Sequence, residues 1–98
     1  MKRLSSELEA AFSVLRKQWP RFRVKQAWIF GSRAEGQGQA DSDWDFLVQF
    51  SQPPSFDAFM GLKSALEEGL KARVDLLSRT ACPPRFLKAI EDSLIDVT

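Results

Sequence analysis

Apolar positions recur along this chain with two different periods, and the period predicts the type of each element. The first is helical: in residues 4–19 the apolar side chains that share one face are Leu4, Leu8, Phe12, Leu15 and Trp19. This spacing predicts an amphipathic helix that Pro20 ends. Its start is left open, because either Ser5 or Ser6 could cap it, the latter with Glu9 in a capping box.

Three shorter stretches follow the two-residue period of β-strands: Val24–Phe30, residues 43–50 and residues 72–78. In the first strand we expect Val24, Trp28 and Phe30 on one face. The second alternates throughout, with Trp44, Phe46, Val48 and Phe50 on one side and Asp43, Asp45, Leu47 and Gln49 on the other. In the third, Val74 and Leu76 oppose Asp75.

The remaining segments are helices and loops. Residues 31–42 are rich in Gly, Ser, Gln and Asp, which predicts a loop with one helical turn after Ser32. A second helix is marked by Phe59, Leu62, Leu66 and Leu70. A last helix begins with Pro84 at its first position and runs through Leu94.

The predicted order is helix, strand, strand, helix, strand, helix. It favours an α+β fold of two layers, in which a small mixed sheet has its helices packed on one face and its other face partly open. With 98 residues and 44% hydrophobic positions, the chain is long and apolar enough for one domain, residues 1–98. The aspartates of the second and third strands are expected on the open face.

Composition excludes several classes of function. The net charge of +1 provides no overall attraction to nucleic acid or to an anionic membrane, and no apolar run approaches the length of a membrane span. The single cysteine, Cys82, and an N-terminus without a signal-like apolar core favour a cytoplasmic protein. The chain has no histidine, which excludes a histidine-based triad and a zinc site built from histidine and cysteine.

Asp43 and Asp45 are candidate metal ligands. Residues two apart in a strand lie about 6.6 Å apart and project to the same side, so both carboxylates can converge on one cation or on a pair of cations. Asp75 joins them if the third strand pairs beside the second. Carboxylates this close repel one another and need positive charge, and Mg²⁺ is the hard cation that accepts a few carboxylates together with substrate phosphates.

Gly31 and Ser32 are candidate phosphate-binding residues. A strand that turns through a glycine into a helical turn presents free N–H groups, and the Ser32 hydroxyl adds a donor. Arg33 is either a surface residue or a further phosphate contact. Each pattern alone also fits an ordinary turn, but a phosphate-binding turn and clustered carboxylates together indicate a nucleoside-triphosphate site.

The stretch "GSRAEGQGQADSDWD" matches the pattern G-S-x10-D-x-D, and "VDLL" follows after one intervening helix. In these features the chain resembles the DNA polymerase β-like nucleotidyltransferase superfamily, and its length resembles that of the minimal nucleotidyltransferases. Those proteins are commonly antitoxins paired with HEPN-domain toxins, which are small helical ribonucleases.

The resemblance implies a role for each matching residue. Gly31 and Ser32 would contact the triphosphate, Asp43 and Asp45 would bind two Mg²⁺ ions, and Asp75 would complete the metal site and help activate the attacking hydroxyl. AMP would pass from ATP to a tyrosine of the toxin. This chain has no tyrosine, so that acceptor must come from another molecule. One departure is Glu35, where many relatives carry a basic residue; near phosphates it would weaken nucleotide binding.

Two other functions stay open at this point. The chain could neutralise its partner by occlusion without catalysis, against which the three aspartates argue. It could instead modify a small molecule, but 98 residues are expected to leave no room for the acceptor-binding domain of such enzymes.

Overall fold

The computed structural model describes residues 6–34 and 43–98, without the side chains of residues 6, 7 and 32. The predicted capping of the first helix by Ser5 or Ser6 and the effect of Glu35 therefore lie outside the described residues. The elements are α1 (Ser6–Leu15), α2 (Gln18–Arg21), β1 (Val24–Phe30), α3 (Gly31–Ala34), β2 (Trp44–Phe50), α4 (Phe56–Leu70), β3 (Val74–Ser78), α5 (Pro84–Ile90) and β4 (Ile95–Asp96).

The four strands form one mixed sheet in the order β3-β2-β1-β4. β1 pairs antiparallel with both β2 and β4, whereas β2 and β3 run parallel, joined by the crossover helix α4. The predicted α+β class, the mixed sheet and the helical turn after β1 are confirmed.

The hydrophobic core lies between one face of the sheet and the helices α1, α2 and α4. Phe12 of α1 packs edge-on against Trp44, with ring centroids 5.8 Å apart, and also contacts Phe46. Leu62 and Leu66 of α4 are fully buried in the same cluster. The predicted apolar faces of β2 and β3 both turn toward this core, which leaves Asp45 and Asp75 on the opposite face.

The predicted helix over 4–19 is wrong in its extent, because the structure divides it into α1 and α2. Pro20 lies inside α2 and does not end it. A proline is tolerated in the first helical turn, where its missing N–H would have had no intrahelical partner. The break lets Trp19 turn inward, where its indole N–H donates to the carbonyl oxygen of Val97 at 3.1 Å.

The predicted faces of β1 are also wrong. The pairing of β1 with β2 shifts register between Val24 and Gln26, an irregularity of the β-bulge type. A bulge exchanges the faces of all residues after it, so Ala27 and Ile29 join Val24 in the core. Trp28 and Phe30 consequently lie on the aspartate face.

The chain's last helix packs on that second face and not with the other helices. Phe86 of α5 meets Phe30 edge-on at a centroid distance of 6.1 Å. Leu47, on the aspartate side of β2, is only 1% exposed because this part of the sheet is covered. The helix stops at Ile90, not Leu94, and β4, which the pattern did not predict, follows it to the edge of β1.

Among the described residues, no helix combines the length and apolarity that crossing a bilayer requires.

Candidate active site

Three aspartates and one glycine come together where β1 ends and β2 and β3 begin. In the parallel pairing Asp45 lies directly opposite Asp75, and in the antiparallel pairing it lies opposite Phe30. Residues opposite each other in a sheet project to the same side. The condition under which Asp75 was expected to join the other aspartates, that the third strand pair beside the second, is met, and the pairing brings Asp75 to Asp45.

The Asp45 carboxyl has a pKa raised above its ordinary value. Partial burial is the largest cause, followed by the negative charge of Asp75, a hydrogen bond between the two carboxyls and the charge of Asp43. Burial and the neighbouring carboxylates thus both disfavour the ionised form of Asp45.

Asp43 completes the carboxylate cluster from just outside β2. It is exposed, as is Asp75, whereas Asp45 is half-buried between them and the sheet. The two ion pairs within residues 6–34 and 43–98 are Arg16–Glu9 and Lys63–Glu67, so neither compensates these aspartates. The close approach of several carboxylates is an arrangement that can attract a cation.

Gly31 has a structural reason to be glycine. Its φ of +79° lies in the left-handed region that other residues adopt at a cost. A Cβ at this position would also overlap with Oδ2 of Asp45. The turn from β1 into α3 therefore passes against the Asp45 carboxyl, which puts the predicted phosphate-binding turn beside the predicted metal ligands.

The structure describes the side chain of Arg33 but only the backbone of Ser32, the other two predicted phosphate contacts. The backbone of Ser32 belongs to α3, directly after Gly31, and its side chain is outside the described set. The guanidinium of Arg33 lies over the ring of Trp44, 4.8 Å from its centroid. Arg33 thus packs against Trp44, the residue between Asp43 and Asp45 in the chain.

The donor set fits Mg²⁺ by its chemistry. In the part of the chain that is described, no three His, Cys, Asp or Glu side chains are already arranged to hold a metal ion. The aspartates are therefore a carboxylate cluster and not a finished coordination shell. Mg²⁺ accepts such partial sites, because it takes one or two carboxylates and completes its octahedron with water and substrate phosphates.

A cleft of about 470 Å³ lies between α5 and the sheet, on the same face as the aspartates. Its floor includes Leu47, two residues from Asp45 on the same strand face, and Trp28, over which the guanidinium of Arg79 lies at 5.2 Å. Sequence reasoning missed this cleft because Trp28 was assigned to the core face. The only signal of the bulge in the sequence was a break in the alternation of apolar and polar residues along β1.

Known proteins resemble this chain in sequence and in fold. The family model "Polymerase beta, Nucleotidyltransferase" matches residues 13–95. The protein adenylyltransferase MntA of Thermococcus cleftensis is 34% identical over 85 residues, which cover 86% of each chain. A solved protein provisionally named a minimal nucleotidyltransferase superposes with a TM-score of 0.80 at 31% identity, covering 91% of both chains.

A more distant structure shares the fold at 15% identity. It is the complex of a tri-AMPylated HEPN toxin of Shewanella oneidensis with an MNT antitoxin, with a TM-score of 0.71 over 92% of this chain and 71% of that chain. The resemblance first drawn from the G-S-x10-D-x-D pattern is confirmed by the family model and by the closer relatives. This chain belongs to the polymerase beta nucleotidyltransferase family and is an enzyme of the nucleotidyltransferase class.

Proposed function

We propose that this enzyme transfers AMP from Mg²⁺-ATP to a tyrosine hydroxyl of a HEPN-type toxin and thereby acts as an antitoxin. The observation that carries the proposal is the register of β2 and β3, which sets Asp45 against Asp75 beside the Gly31 turn. Carboxylates beside a glycine turn support a phosphoryl-type displacement, in which metal ions and phosphate must be held close together. The naming of the Thermococcus cleftensis relative as a protein adenylyltransferase supports the choice of AMP as the transferred group.

Asp43, Asp45 and Asp75 would hold the Mg²⁺ ions, and Gly31, Ser32 and Arg33 would contact the triphosphate. Mg²⁺ supplies neutralisation of the phosphate charge and a lowered barrier to hydroxyl ionisation. The raised pKa of Asp45 supports this assignment, because a cation bound there would offset the charge that burial and the neighbouring carboxylates disfavour.

The proposed reaction balances without an oxidant or a further reactant. The tyrosine oxygen forms a bond to the α-phosphorus of ATP, and the bond from that phosphorus to the bridging oxygen of the β-phosphate breaks. Pyrophosphate leaves with the electron pair of that bond. The phenolic proton passes to the exposed carboxylate of Asp75.

A protein acceptor is supported by the exposure of the site and by composition. Asp43 and Asp75 lie at the surface, so an acceptor as large as a folded protein can reach them. The absence of tyrosine from this chain requires that a tyrosine acceptor come from a partner. The HEPN toxin bound to the structurally similar MNT antitoxin supports a partner of that kind.

Intact mass spectrometry of the co-expressed pair tests the proposal. We expect the toxin encoded beside this protein to gain the mass of one or more AMP groups on tyrosine. The Asp75→Asn variant should form the complex and bind ATP but leave the toxin unmodified. Asp96→Asn, which changes an exposed aspartate of β4, is the matched control and should modify the toxin as the wild type does.

An unmodified toxin that is nevertheless neutralised, equally well by Asp75→Asn, would contradict the proposal. That result would assign the protein to neutralisation by occlusion. Modification that persists in Asp75→Asn would retain the enzyme but remove Asp75 from its mechanism.

A further inference from the structure

Glu67 ties the end of α4 to the start of β3 through both its main chain and its side chain. Its carbonyl oxygen accepts the N–H of Ala72 at 3.3 Å, within the turn where Lys71 adopts a left-handed conformation. Its carboxylate oxygen Oε2 accepts the N–H of Val74 at 3.1 Å. One residue therefore fixes both sides of the short connection between the helix and the strand.

The N–H of Val74 needs a partner from outside the sheet. β3 is an edge strand, paired with β2 alone. In a parallel ladder, the residue opposite Trp44 is flanked by the two residues that bond to β2, so its own N–H points to the free edge. The N–H of Trp44 accordingly donates to the carbonyl oxygen of Arg73, at 2.9 Å, while Val74 donates to Glu67.

The Glu67 carboxyl remains a charged acceptor. Its pKa lies below the ordinary value, first because of the Val74 N–H and then because of Lys63, whose Nζ lies 3.3 Å from Oε2; burial opposes this lowering. A hydrogen bond to an ionised acceptor is stronger than one between neutral groups. The contact is thus a directed one between α4 and the first residue of β3.

This contact is made one residue before Asp75. A slip of β3 by one residue would exchange Val74, which is 2% exposed, with Asp75 and turn the aspartate toward the core. A smaller displacement would move the Asp75 carboxyl along β2 and away from Asp45. The hydrogen bond from the Val74 N–H to the Glu67 carboxylate resists both movements. It acts at the residue directly before Asp75, on a backbone group that does not bond to β2.

We propose that Glu67 is a positioning residue, which holds β3 in the register that places Asp75 beside Asp45 for the transfer reaction. The inference rests on the proposed function, since it assumes that Asp75 acts in the transfer of AMP. Glu67 itself touches neither the nucleotide nor the acceptor.

Three substitutions and one control test the role of Glu67. Glu67→Ala removes the acceptor, Glu67→Asp keeps the charge but is one methylene too short, and Glu67→Gln keeps an oxygen at the same reach. Glu68→Ala changes the exposed neighbour on α4. Each variant is measured for hydrogen exchange at the Val74 amide, for the Kd of Mg²⁺-ATP, and for kcat with the toxin, per folded molecule.

We expect faster exchange at Val74 in Glu67→Ala and Glu67→Asp, together with a fall in kcat of roughly 10- to 100-fold, the scale for a misplaced reacting group. The Kd of Mg²⁺-ATP should change much less than kcat. Glu67→Gln should restore the protection of Val74 and most of kcat, and Glu68→Ala should match the wild type. If Glu67→Ala fails to fold, Glu67→Asp and Glu67→Gln still distinguish the effect of side-chain length from the effect of side-chain charge.

Two results would overturn the inference. One is loss of Val74 protection with kcat unchanged, which would make Glu67 a purely structural tie. The other is a fall in kcat in Glu67→Gln as large as in Glu67→Ala while Val74 stays protected. If the wild type transfers no AMP at all, the proposed function fails. Hydrogen exchange at the Val74 amide would still report whether Glu67 holds β3 in place.

Discussion

At the scale of single residues, Asp45 is where the fold and the chemistry constrain each other most. Its backbone pairs with β1 on one side and with β3 on the other. Its carboxyl lies beside Asp75 and beside the turn at Gly31. Burial and the neighbouring carboxylates raise its pKa, so its surroundings disfavour the charged form. We infer that the position is destabilising in the free protein and favourable only with a bound cation.

This conflict predicts an unusual pH dependence of stability. The pKa of Asp45 is raised in the folded chain, so between the ordinary carboxyl range and the raised value the folded state binds the proton more tightly than the unfolded state. The free energy of unfolding should therefore fall as pH rises through this window. Asp45→Asn should remove the fall and be more stable than the wild type at neutral pH without Mg²⁺.

Urea unfolding of both proteins across the acid and neutral range measures this difference. Asp92→Asn, in the turn of residues Glu91–Ser93 and outside the cluster, is the control and should keep the wild-type profile. Mg²⁺-ATP should raise the melting temperature of the wild type but not of the double variant Asp43→Asn with Asp45→Asn. Equal stabilisation of the double variant would put the metal site elsewhere.

A second prediction at this scale concerns Gly31. Gly31→Ala should cost about 1–2 kcal/mol of stability from its left-handed backbone alone, and the overlap with Asp45 should also weaken nucleotide binding. Gly61→Ala, inside α4, is the matched control and should leave the Kd of Mg²⁺-ATP unchanged. Calorimetric titration of both variants with Mg²⁺-ATP measures the Kd. A Gly31→Ala variant that bound Mg²⁺-ATP as tightly as the wild type would contradict this account.

At the scale of elements, β4 illustrates how a short strand can hold a fold together. The N–H of Val97, just after β4, donates to the carbonyl oxygen of Ala27 at 2.9 Å, and its own carbonyl oxygen accepts the indole N–H of Trp19. The Val97 side chain is fully buried. Val97 therefore links β1, α2 and the core.

Val97→Ala should lower the free energy of unfolding by about 1–3 kcal/mol, the range for a small deletion in a packed core. The chain offers a matched control in Val14→Ala, because Val14 on α1 is 63% exposed. That substitution should be neutral or slightly stabilising, since alanine favours a helix more than valine does. Equal effects of the two substitutions in urea unfolding would show that β4 does not contribute as described.

The elements also show what sequence can and cannot predict. β2 and β3 are half-buried strands, whose alternating pattern records which side faces the core, so the sequence predicted that Asp45 and Asp75 share a face but not that their strands pair. β4 has two residues, too few for a period to appear. The bulge after Val24 and the packing of Phe86 on Phe30 depend on contacts between distant parts of the chain, which a local pattern does not record.

At the scale of the whole molecule, the two faces of the sheet have separate tasks. One face, under α1, α2 and α4, contains the buried aromatic core and supplies stability. The other carries the carboxylates and the cleft below α5. Because the strands connect the two faces directly, the buried side chains of β2 and β3 on the core face fix the backbone from which Asp45 and Asp75 project.

The most direct test of this account is the transfer of label from ATP to the partner toxin. Two preparations of ATP, labelled at the α- or at the γ-phosphorus, are incubated with Mg²⁺, the toxin and either wild-type protein or Asp45→Asn. We predict that the toxin gains label from the α-phosphorus only, and only with the wild type. Label from the γ-phosphorus, or transfer by Asp45→Asn at the wild-type rate, would contradict AMP transfer at this carboxylate cluster.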